Sequence, residues 1–154
     1  MVSFKTIALL ATSALAAPVS ERQVSLPDDW AWSVEGWEAG CTRTCYYRFN
    51  VTIPSIEGVL GAKAFCSGGE TNDRFLDCQI LSGANNPVAA KLLARPENMT
   101  TGFGPQEFAV SFQKSSYEGS PTYNFTAYNS TTYNAVSSPP MDFKMKPTEV
   151  FGIL

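Results

Sequence analysis

Apolar and polar residues alternate through most of this 154-residue chain, and this pattern constrains the fold more than any other feature. In an extended strand, side chains two positions apart lie on the same face. Within residues 45–53 one face is entirely apolar and consists of Tyr47, Phe49, Val51 and Ile53. Comparable segments recur about every ten residues, separated by Gly, Pro, Asn or Ser, which end strands. The sequence therefore predicts an all-β domain of about nine or ten short meandering strands, arranged as a single antiparallel β-barrel or β-sandwich.

Most of the expected strands follow directly from this alternation. One begins at Trp30, which shares a strand face with Trp32 and Val34, so we expect these three side chains in the core. Residues 88–95 are ambiguous because they are rich in good helix formers, but a strand fits the meander and is preferred. The remaining strands are predicted at residues 45–53, 59–66, 75–81, 108–112, 123–128, 131–136, 142–146 and 149–153.

The first 16 residues have the pattern of a secretory signal peptide. Lys5 precedes an uncharged apolar run over residues 7–17, and the small residues Ala14 and Ala16 form a cleavage motif. The run is shorter than the ~20 apolar residues that cross a bilayer. We therefore expect cleavage after residue 16 and secretion, rather than a membrane anchor.

Removal of this peptide leaves one domain. Residues 17–27 are expected to be a flexible N-terminal segment, either loose throughout or partly a pro-segment that is removed after Arg22. The secreted β domain then spans residues 28–154, which is long enough for one hydrophobic core and too short for two. The chain has a net charge of −3 and no basic stripe, so nucleic-acid and membrane partners are not expected.

Four cysteines occur in the chain, and an even number in an exported protein predicts two disulfides. A bond between Cys41 and Cys45 requires a turn, because a continuous strand would separate their Cα atoms by ~13 Å. Cys66 and Cys78 flank a loop of turn-forming residues and are suited to bonding across a hairpin. We favour these two pairs over bonds that cross-link residues 41–45 to the hairpin. A zinc site is not expected, because the chain has no C-x-x-C pair and no histidine.

The chain also contains four N-x-S/T sequons, which are acceptors for N-linked glycans during passage through the secretory lumen. We expect at least one of them to be occupied, in agreement with export. The acceptor residues are Asn50, Asn98, Asn124 and Asn129.

Composition excludes several classes of enzyme. Without histidine, the chain cannot form Ser-His-Asp or Cys-His catalytic groups, and oxidised cysteines leave no thiolate nucleophile. No phosphate-binding loop, dinucleotide fingerprint or G-x-S-x-G motif is present, and no cofactor or metal is expected. A glycosidase-type carboxylate pair is the remaining possibility. We expect instead that the acidic residues are solvated surface charges and that the protein is not an enzyme.

Three residues are candidates for contact with a partner. Trp37, beside Gly36, is the tryptophan that we expect to be exposed, where its ring would stack on a sugar. Tyr46 and Arg48 lie on the polar face of the strand over residues 45–53 and are candidate contacts for another macromolecule.

Several short stretches resemble small secreted proteins of filamentous fungi. These are Ala14-Leu-Ala-Ala-Pro18 with Glu21-Arg-Gln23, Trp32-Ser-Val34, Cys41-x-x-x-Cys45-Tyr-x-x-Phe-Asn-Val51, and Ala64-Phe-Cys66 followed by Phe75-x-x-Cys78. The likeness is greatest to the hypersensitive-response-inducing protein elicitors of plant-pathogenic fungi, and looser to the fungal major-allergen β-barrel family. It is specific over about residues 30–80.

The resemblance implies an apoplastic effector that a plant surface receptor or a cell-wall component recognises, with cell death or defence priming as the response. It supplies no active site. The barrel allergens have differently placed cysteines, including one that bridges a dimer, whereas no odd cysteine remains here. We therefore expect a monomer or a non-covalent dimer. The alternative hypothesis is a carbohydrate-binding or weakly hydrolytic cell-wall protein.

Overall fold

A computed structural model of the chain describes residues 26–41, 43–70, 74–83, 85–94, 106–114, 122–136 and 138–153. The predicted signal peptide, the cleavage site after Arg22 and the sequon at Asn98 lie outside these residues. Within the described ranges the secondary structure is β-strand and turn, and no helix there is long and apolar enough to cross a membrane.

Ten strands form two antiparallel sheets, which confirms the all-β prediction. The first sheet has the order β5-β3-β2-β1-β9, and the second has the order β10-β8-β7-β6-β4. They pack as a sandwich and do not close into a barrel. The strands are β1 (Trp32–Cys41), β2 (Cys45–Ile53), β3 (Ala62–Gly69), β4 (Leu76–Asp77), β5 (Gln79–Gly83), β6 (Val88–Leu92), β7 (Gln106–Lys114), β8 (Thr122–Thr131), β9 (Met141–Met145) and β10 (Pro147–Ile153).

Aromatic side chains fill the space between the sheets. Trp30 packs edge to face on Trp32 and on Phe125, with ring centroids 5.8 and 5.1 Å apart, and Trp32 packs in the same way on Phe112. The indole N–H of Trp30 donates to the carbonyl of Pro54, 2.8 Å away. These contacts join Trp32 of β1 to β7, and Trp30, just before β1, to β8 of the second sheet. Trp30, Trp32 and Val34 are all buried, which confirms that they are core residues.

The chain passes between the sheets at both edges of the sandwich. Cys78 separates β4, an edge strand of the second sheet, from β5, an edge strand of the first. Lys146 separates β9 from β10 in the same way at the opposite edge. The single strand that we predicted at residues 75–81 is therefore wrong, because this segment divides its hydrogen bonds between two sheets.

Both predicted disulfides are present, and they occupy different kinds of position. Cys41 and Cys45 are register partners at the end of the β1–β2 hairpin, joined through the turn that their bond requires. Cys66 of β3 bonds to Cys78 at the crossing between the sheets. The hairpin partner of β3 is β5, which begins one residue beyond Cys78.

Three further strand predictions are resolved by the structure. Residues 88–92 form strand β6, as preferred over a helix. β3 starts at Ala62 rather than at Val59, because Val59 and Ile56 exchange backbone hydrogen bonds across a turn with Gly58 in the left-handed region (φ 71°). The strand predicted at residues 131–136 is wrong, because β8 ends at Thr131 and the following residues form a loop.

A β-bulge interrupts β1 at Gly36. Between Glu35 and Glu38 the strand advances three residues while its partner β2 advances two, from Asn50 to Arg48. Gly36 is the extra residue, and its φ of 66° lies in the left-handed region that glycine tolerates best. Its N–H donates to Oδ1 of Asp142 in β9, 2.7 Å away. The bulge therefore reverses which side chains of β1 face the core beyond this point.

Candidate recognition surface on the first sheet

The outer face of the first sheet presents polar side chains from β1, β2 and β3. On β2 the inward positions are buried, and Tyr46 and Arg48 point outward, as the alternation predicted. Register pairing places Tyr46 beside Gly40 of β1, and Arg48 beside Glu38. We call these four residues, Glu38, Gly40, Tyr46 and Arg48, the recognition patch.

Arg48 is held by an ion pair with Glu38. The two side chains approach to 2.8 Å, and Arg48 remains largely exposed while Glu38 is mostly covered. The hydrogen bond from Arg48 to Glu38, and then the negative charge of Glu38, raise the pKa of the guanidinium. Because an exposed ion pair contributes little to folding, its main effect is to orient the guanidinium. The Arg48 side chain remains accessible to a partner while it is paired in this way.

Tyr46 lies across a glycine. A Cβ atom at Gly40 would come within 2.8 Å of Cε1 of the Tyr46 ring and 3.0 Å of the Cβ of Ala135. The ring therefore rests on the bare backbone of β1, and 41% of the residue surface is exposed. Aromatic rings that cover glycines on neighbouring strands are a known device for ordering sheets. The Tyr46 ring is thus both accessible and restrained.

A second, weaker ion pair lies farther along this face. Nζ of Lys63 in β3 is 4.0 Å from Glu35 in β1, and both side chains are about half exposed. Together with the pair at Arg48, this arrangement alternates the two signs of charge across the face. The face is therefore polar without a large field of either sign, unlike a surface that binds nucleic acid.

Trp37 is not part of this surface, and the expectation that it would be exposed is wrong. None of its surface is accessible to solvent. The bulge at Gly36 shifts the alternation of β1 by one residue, so Trp37 turns inward together with Ala39. Its ring lies 4.2 Å from that of Phe108 and stacks parallel to Tyr47. A sugar platform at Trp37 is thereby ruled out.

Tyr47 connects the layer beneath the recognition patch to the second sheet. Its hydroxyl donates to the carbonyl of Ala90 in β6, 2.9 Å away. Burial penalises the phenolate and raises the pKa of Tyr47 to about 12 from its usual value near 10. Tyr46 and Arg48, which flank it in sequence, are thus carried on a strand whose inner face is fixed to the opposite sheet.

The free energy of unfolding should fall as the pH rises through the range in which Tyr47 ionises in the unfolded chain but stays protonated in the folded protein. Below about pH 10 the tyrosine is neutral in both states, so its full contribution is present. As the pH rises to about 12, unfolding is favoured because it releases the proton that the folded protein retains. We expect urea midpoints to fall over this range, and to fall less in Tyr47→Phe. Equal slopes for the two proteins would show that Tyr47 ionises normally.

The described residues bring together one group of potential metal ligands. The Sγ atoms of Cys41 and Cys45 and a carboxylate oxygen of Glu70 lie within 4.8 Å of one another. Both sulfur atoms are already bonded in the disulfide. In the oxidised protein this cluster therefore offers a metal only the exposed Glu70 carboxylate.

The carboxylates of the described residues are at the surface, and none of them is buried. Glu38, the carboxylate of the recognition patch, is mostly covered, and its charge is neutralised by Arg48. A glycosidase acid is commonly desolvated so that it remains protonated at neutral pH. No Asp or Glu side chain within the described ranges is desolvated in this way.

Three of the four sequon asparagines fall in strands. Asn50 lies on the outer face of β2, two residues from Arg48, and Asn124 lies on the outer face of β8. Oδ1 of Asn124 accepts a hydrogen bond from Ser111, 2.6 Å away. Asn129 lies near the end of β8, where its Oδ1 accepts the N–H of Ser130. All three are partly exposed.

Two residues that support the surface were not identified from the sequence. Asp142 holds the bulge at Gly36, and Asn134 binds the backbone of β1 at Trp37 and Ala39. Each acts across about one hundred residues, so no local pattern points to it. The one hint in the sequence was that Asn134 is a polar residue within a segment predicted as a strand.

The recognition patch therefore combines one restrained aromatic ring with one oriented guanidinium on a rigid strand. The chain matches no protein-family model, no curated protein and no solved structure.

Proposed function

We propose that this protein is a secreted, non-catalytic effector of the elicitor type, which a plant host senses through the recognition patch. The observation that carries the proposal is the pair Tyr46 and Arg48, exposed side by side on β2 and each restrained by a residue of β1. The apolar run at the start of the sequence, the two disulfides and the resemblance to fungal elicitors support extracellular action.

Tyrosine and arginine suit this role on physical grounds. Both are enriched among the residues that dominate binding energy at protein interfaces. Immobilising a flexible side chain at an interface normally weakens binding by about 0.5–1.5 kcal/mol. Tyr46 already rests on Gly40 and Arg48 is already paired with Glu38, so these two side chains have less freedom to lose when a partner binds. The Cys41–Cys45 disulfide holds the adjacent end of the hairpin.

A leaf-infiltration experiment tests the proposal. Purified, folded protein at micromolar concentration is expected to cause necrosis or defence-gene induction. The double variant Tyr46→Ala/Arg48→Ala should lower potency at least about tenfold, which corresponds to about 1.4 kcal/mol of binding. Its melting temperature should stay close to that of the wild type, because both side chains are on the surface. An inactive wild-type protein would contradict the proposal.

A second candidate function is carbohydrate binding, and a different surface favours it. Tyr128 and Phe75 are exposed on the outer face of the second sheet. Between them lie Ala109, the register partner of Tyr128, and Lys91, whose Nζ is 4.8 Å from the centre of the Phe75 ring. Exposed aromatic rings on one face of a sheet offer apolar surfaces on which sugars can stack.

The double variant Phe75→Ala/Tyr128→Ala separates the two candidates and is the matched control for the leaf experiment. Elicitor action through the recognition patch predicts that this variant remains fully active in leaves. Carbohydrate binding predicts saturable binding on a glycan array that is lost in this variant and kept in Tyr46→Ala/Arg48→Ala. Release of reducing sugar from cell-wall polysaccharide would indicate the hydrolytic form of this alternative.

A further inference from the structure

Two sequon asparagines on the outer faces of the sheets are directly opposite a phenylalanine. Asn50 of β2 is the register partner of Phe65 in β3. Asn124 of β8 is the register partner of Phe151 in β10. Side chains of such partners lie on the same face, with Cβ atoms ~4.5–5.5 Å apart. The same pairing therefore occurs once on each sheet.

Neither phenylalanine serves the core. The inner faces of β3 and β10 are occupied by their neighbours, such as Cys66 and Val150, which pack between the sheets. Phe151 is 60% exposed, and Phe65 is half-buried among outward-facing side chains that include Asn50 and Gln79. Phenylalanine in such a position exposes apolar surface, which is unfavourable in water unless something covers it.

We propose that N-linked glycans at Asn50 and Asn124 cover these rings, with the innermost N-acetylglucosamine of each lying flat on the opposite phenylalanine. The sugar ring has an apolar face of C–H groups, which packs on an aromatic ring as other apolar surfaces do. Attachment to Nδ2 brings that sugar within reach of the neighbouring strand. Burial of C–H groups against the phenylalanine then stabilises the folded state.

The environment of Asn124 supports this geometry. Ser111 of β7 donates to Oδ1 of Asn124, which fixes the carboxamide and leaves Nδ2 directed away from Ser111. The glycan bond forms at Nδ2, and a glycosylated asparagine retains Oδ1 as an acceptor. The hydrogen bond from Ser111 is therefore compatible with glycosylation and orients the attached sugar.

Asn129 provides the internal control. Its register partner is Phe108, which is buried in the core and cannot contact a sugar on the surface. A glycan at Asn129 would have no exposed ring on the opposite strand. It should therefore add solubility without the stabilisation expected at Asn50 and Asn124.

The proposal requires passage through the secretory lumen, but it does not depend on elicitor activity. A sugar that leans from Asn50 toward Phe65 lies on the β3 side of β2, whereas Arg48 and Tyr46 contact Glu38 and Gly40 on the β1 side, so the recognition patch stays open. Loss of leaf activity and loss of sugar packing can therefore be observed separately.

The test uses full-length chains secreted from a eukaryotic host, each with one sequon retained and the others removed by Asn→Gln substitution. Endoglycosidase treatment trims the glycan to a single N-acetylglucosamine, and unglycosylated protein serves as the reference. We expect this one sugar to raise the melting temperature by about 2–4 °C when it is on Asn50 or Asn124, and not when it is on Asn129. Phe65→Ala should abolish the rise at Asn50, and Phe151→Ala the rise at Asn124.

A second measurement does not depend on stability. The ring current of a phenylalanine shifts the proton resonances of a sugar that lies on it, and these shifts should disappear in the corresponding Phe→Ala variant. Peptide mapping that finds Asn50 and Asn124 unmodified in the secreted wild-type protein would overturn the proposal. Equal melting-temperature changes with and without the phenylalanine, or unshifted sugar protons, would overturn it as well.

Discussion

Replacing Trp37 by alanine is expected to lower the free energy of unfolding by about 3–5 kcal/mol, the range observed for removal of large buried aromatic side chains. Trp37 is fully buried and contacts the rings of Phe49, Phe108 and Phe143 as well as Tyr47. Its indole N–H has no acceptor among the described residues. Loss of this unpaired donor is slightly favourable, so we expect a value in the lower half of the range. Urea denaturation gives the value directly.

Tyr46→Ala is the matched control for this variant. Tyr46 is also an aromatic residue, and it packs over Gly40 of β1, but it lies on the outer face of the sheet and is substantially exposed. We expect its removal to cost less than about 1 kcal/mol. If Trp37→Ala unfolded at the same urea concentration as Tyr46→Ala, the burial of Trp37 and the bulge at Gly36 would both be in doubt. Loss of ligand binding in Trp37→Ala would carry no functional meaning, because the variant disturbs the core.

The sequence was sufficient where a local pattern was strong. The bounds of β2 coincide with the predicted strand at residues 45–53, because inward and outward positions alternate without interruption until Pro54. Both disulfides were also identified correctly, since each joins cysteines that are close in sequence, and the loop between Cys66 and Cys78 is rich in turn formers. The outward direction of Tyr46 and Arg48 followed from the same alternation.

The predictions failed where distant residues decide the conformation. Trp37 was assigned to the surface because alternation was assumed to continue through Gly36, whereas the bulge there is held by Asp142, 106 residues away. Residues 75–81 have the alternation of one strand, but the chain changes sheets at Cys78. Hydrogen bonds to another sheet, or to a residue from the other end of the chain, leave no periodic trace in the sequence.

The conformation of the loop at residues 132–136 also depends on distant residues, through the side chain of Asn134. This side chain is 1% exposed and makes three hydrogen bonds. Its Oδ1 accepts from the N–H of Ala39 at 2.9 Å, and its Nδ2 donates to the carbonyls of Trp37 and Pro139 at 2.8 and 3.1 Å. The pattern suggested a strand here, but the asparagine instead ties the loop to β1, where the bulge has changed the positions of the backbone groups.

Asn134→Ala is expected to lower the free energy of unfolding by about 3 kcal/mol. The substitution leaves one buried N–H and two carbonyls short of a partner, and each unsatisfied buried group costs about 1–3 kcal/mol. These costs do not simply add, because the loop can relax and admit water. Urea denaturation measures the total, and faster amide exchange at Ala39 would locate the damage. Asn85→Ala, which removes an exposed asparagine, should change stability by less than about 0.5 kcal/mol.

The near-isosteric variant Asn134→Asp separates the loss of hydrogen bonds from the loss of volume. A carboxylate still accepts from the Ala39 N–H, but it faces the carbonyl oxygens of Trp37 and Pro139 without a donor. Protonation restores one donor, so this variant should be more stable at acidic pH and lose stability as the pH rises through the pKa of the new carboxyl group. If Asn134→Asp matched the wild type at neutral pH, the two donated hydrogen bonds would contribute nothing, and Asn134 would act only by filling space.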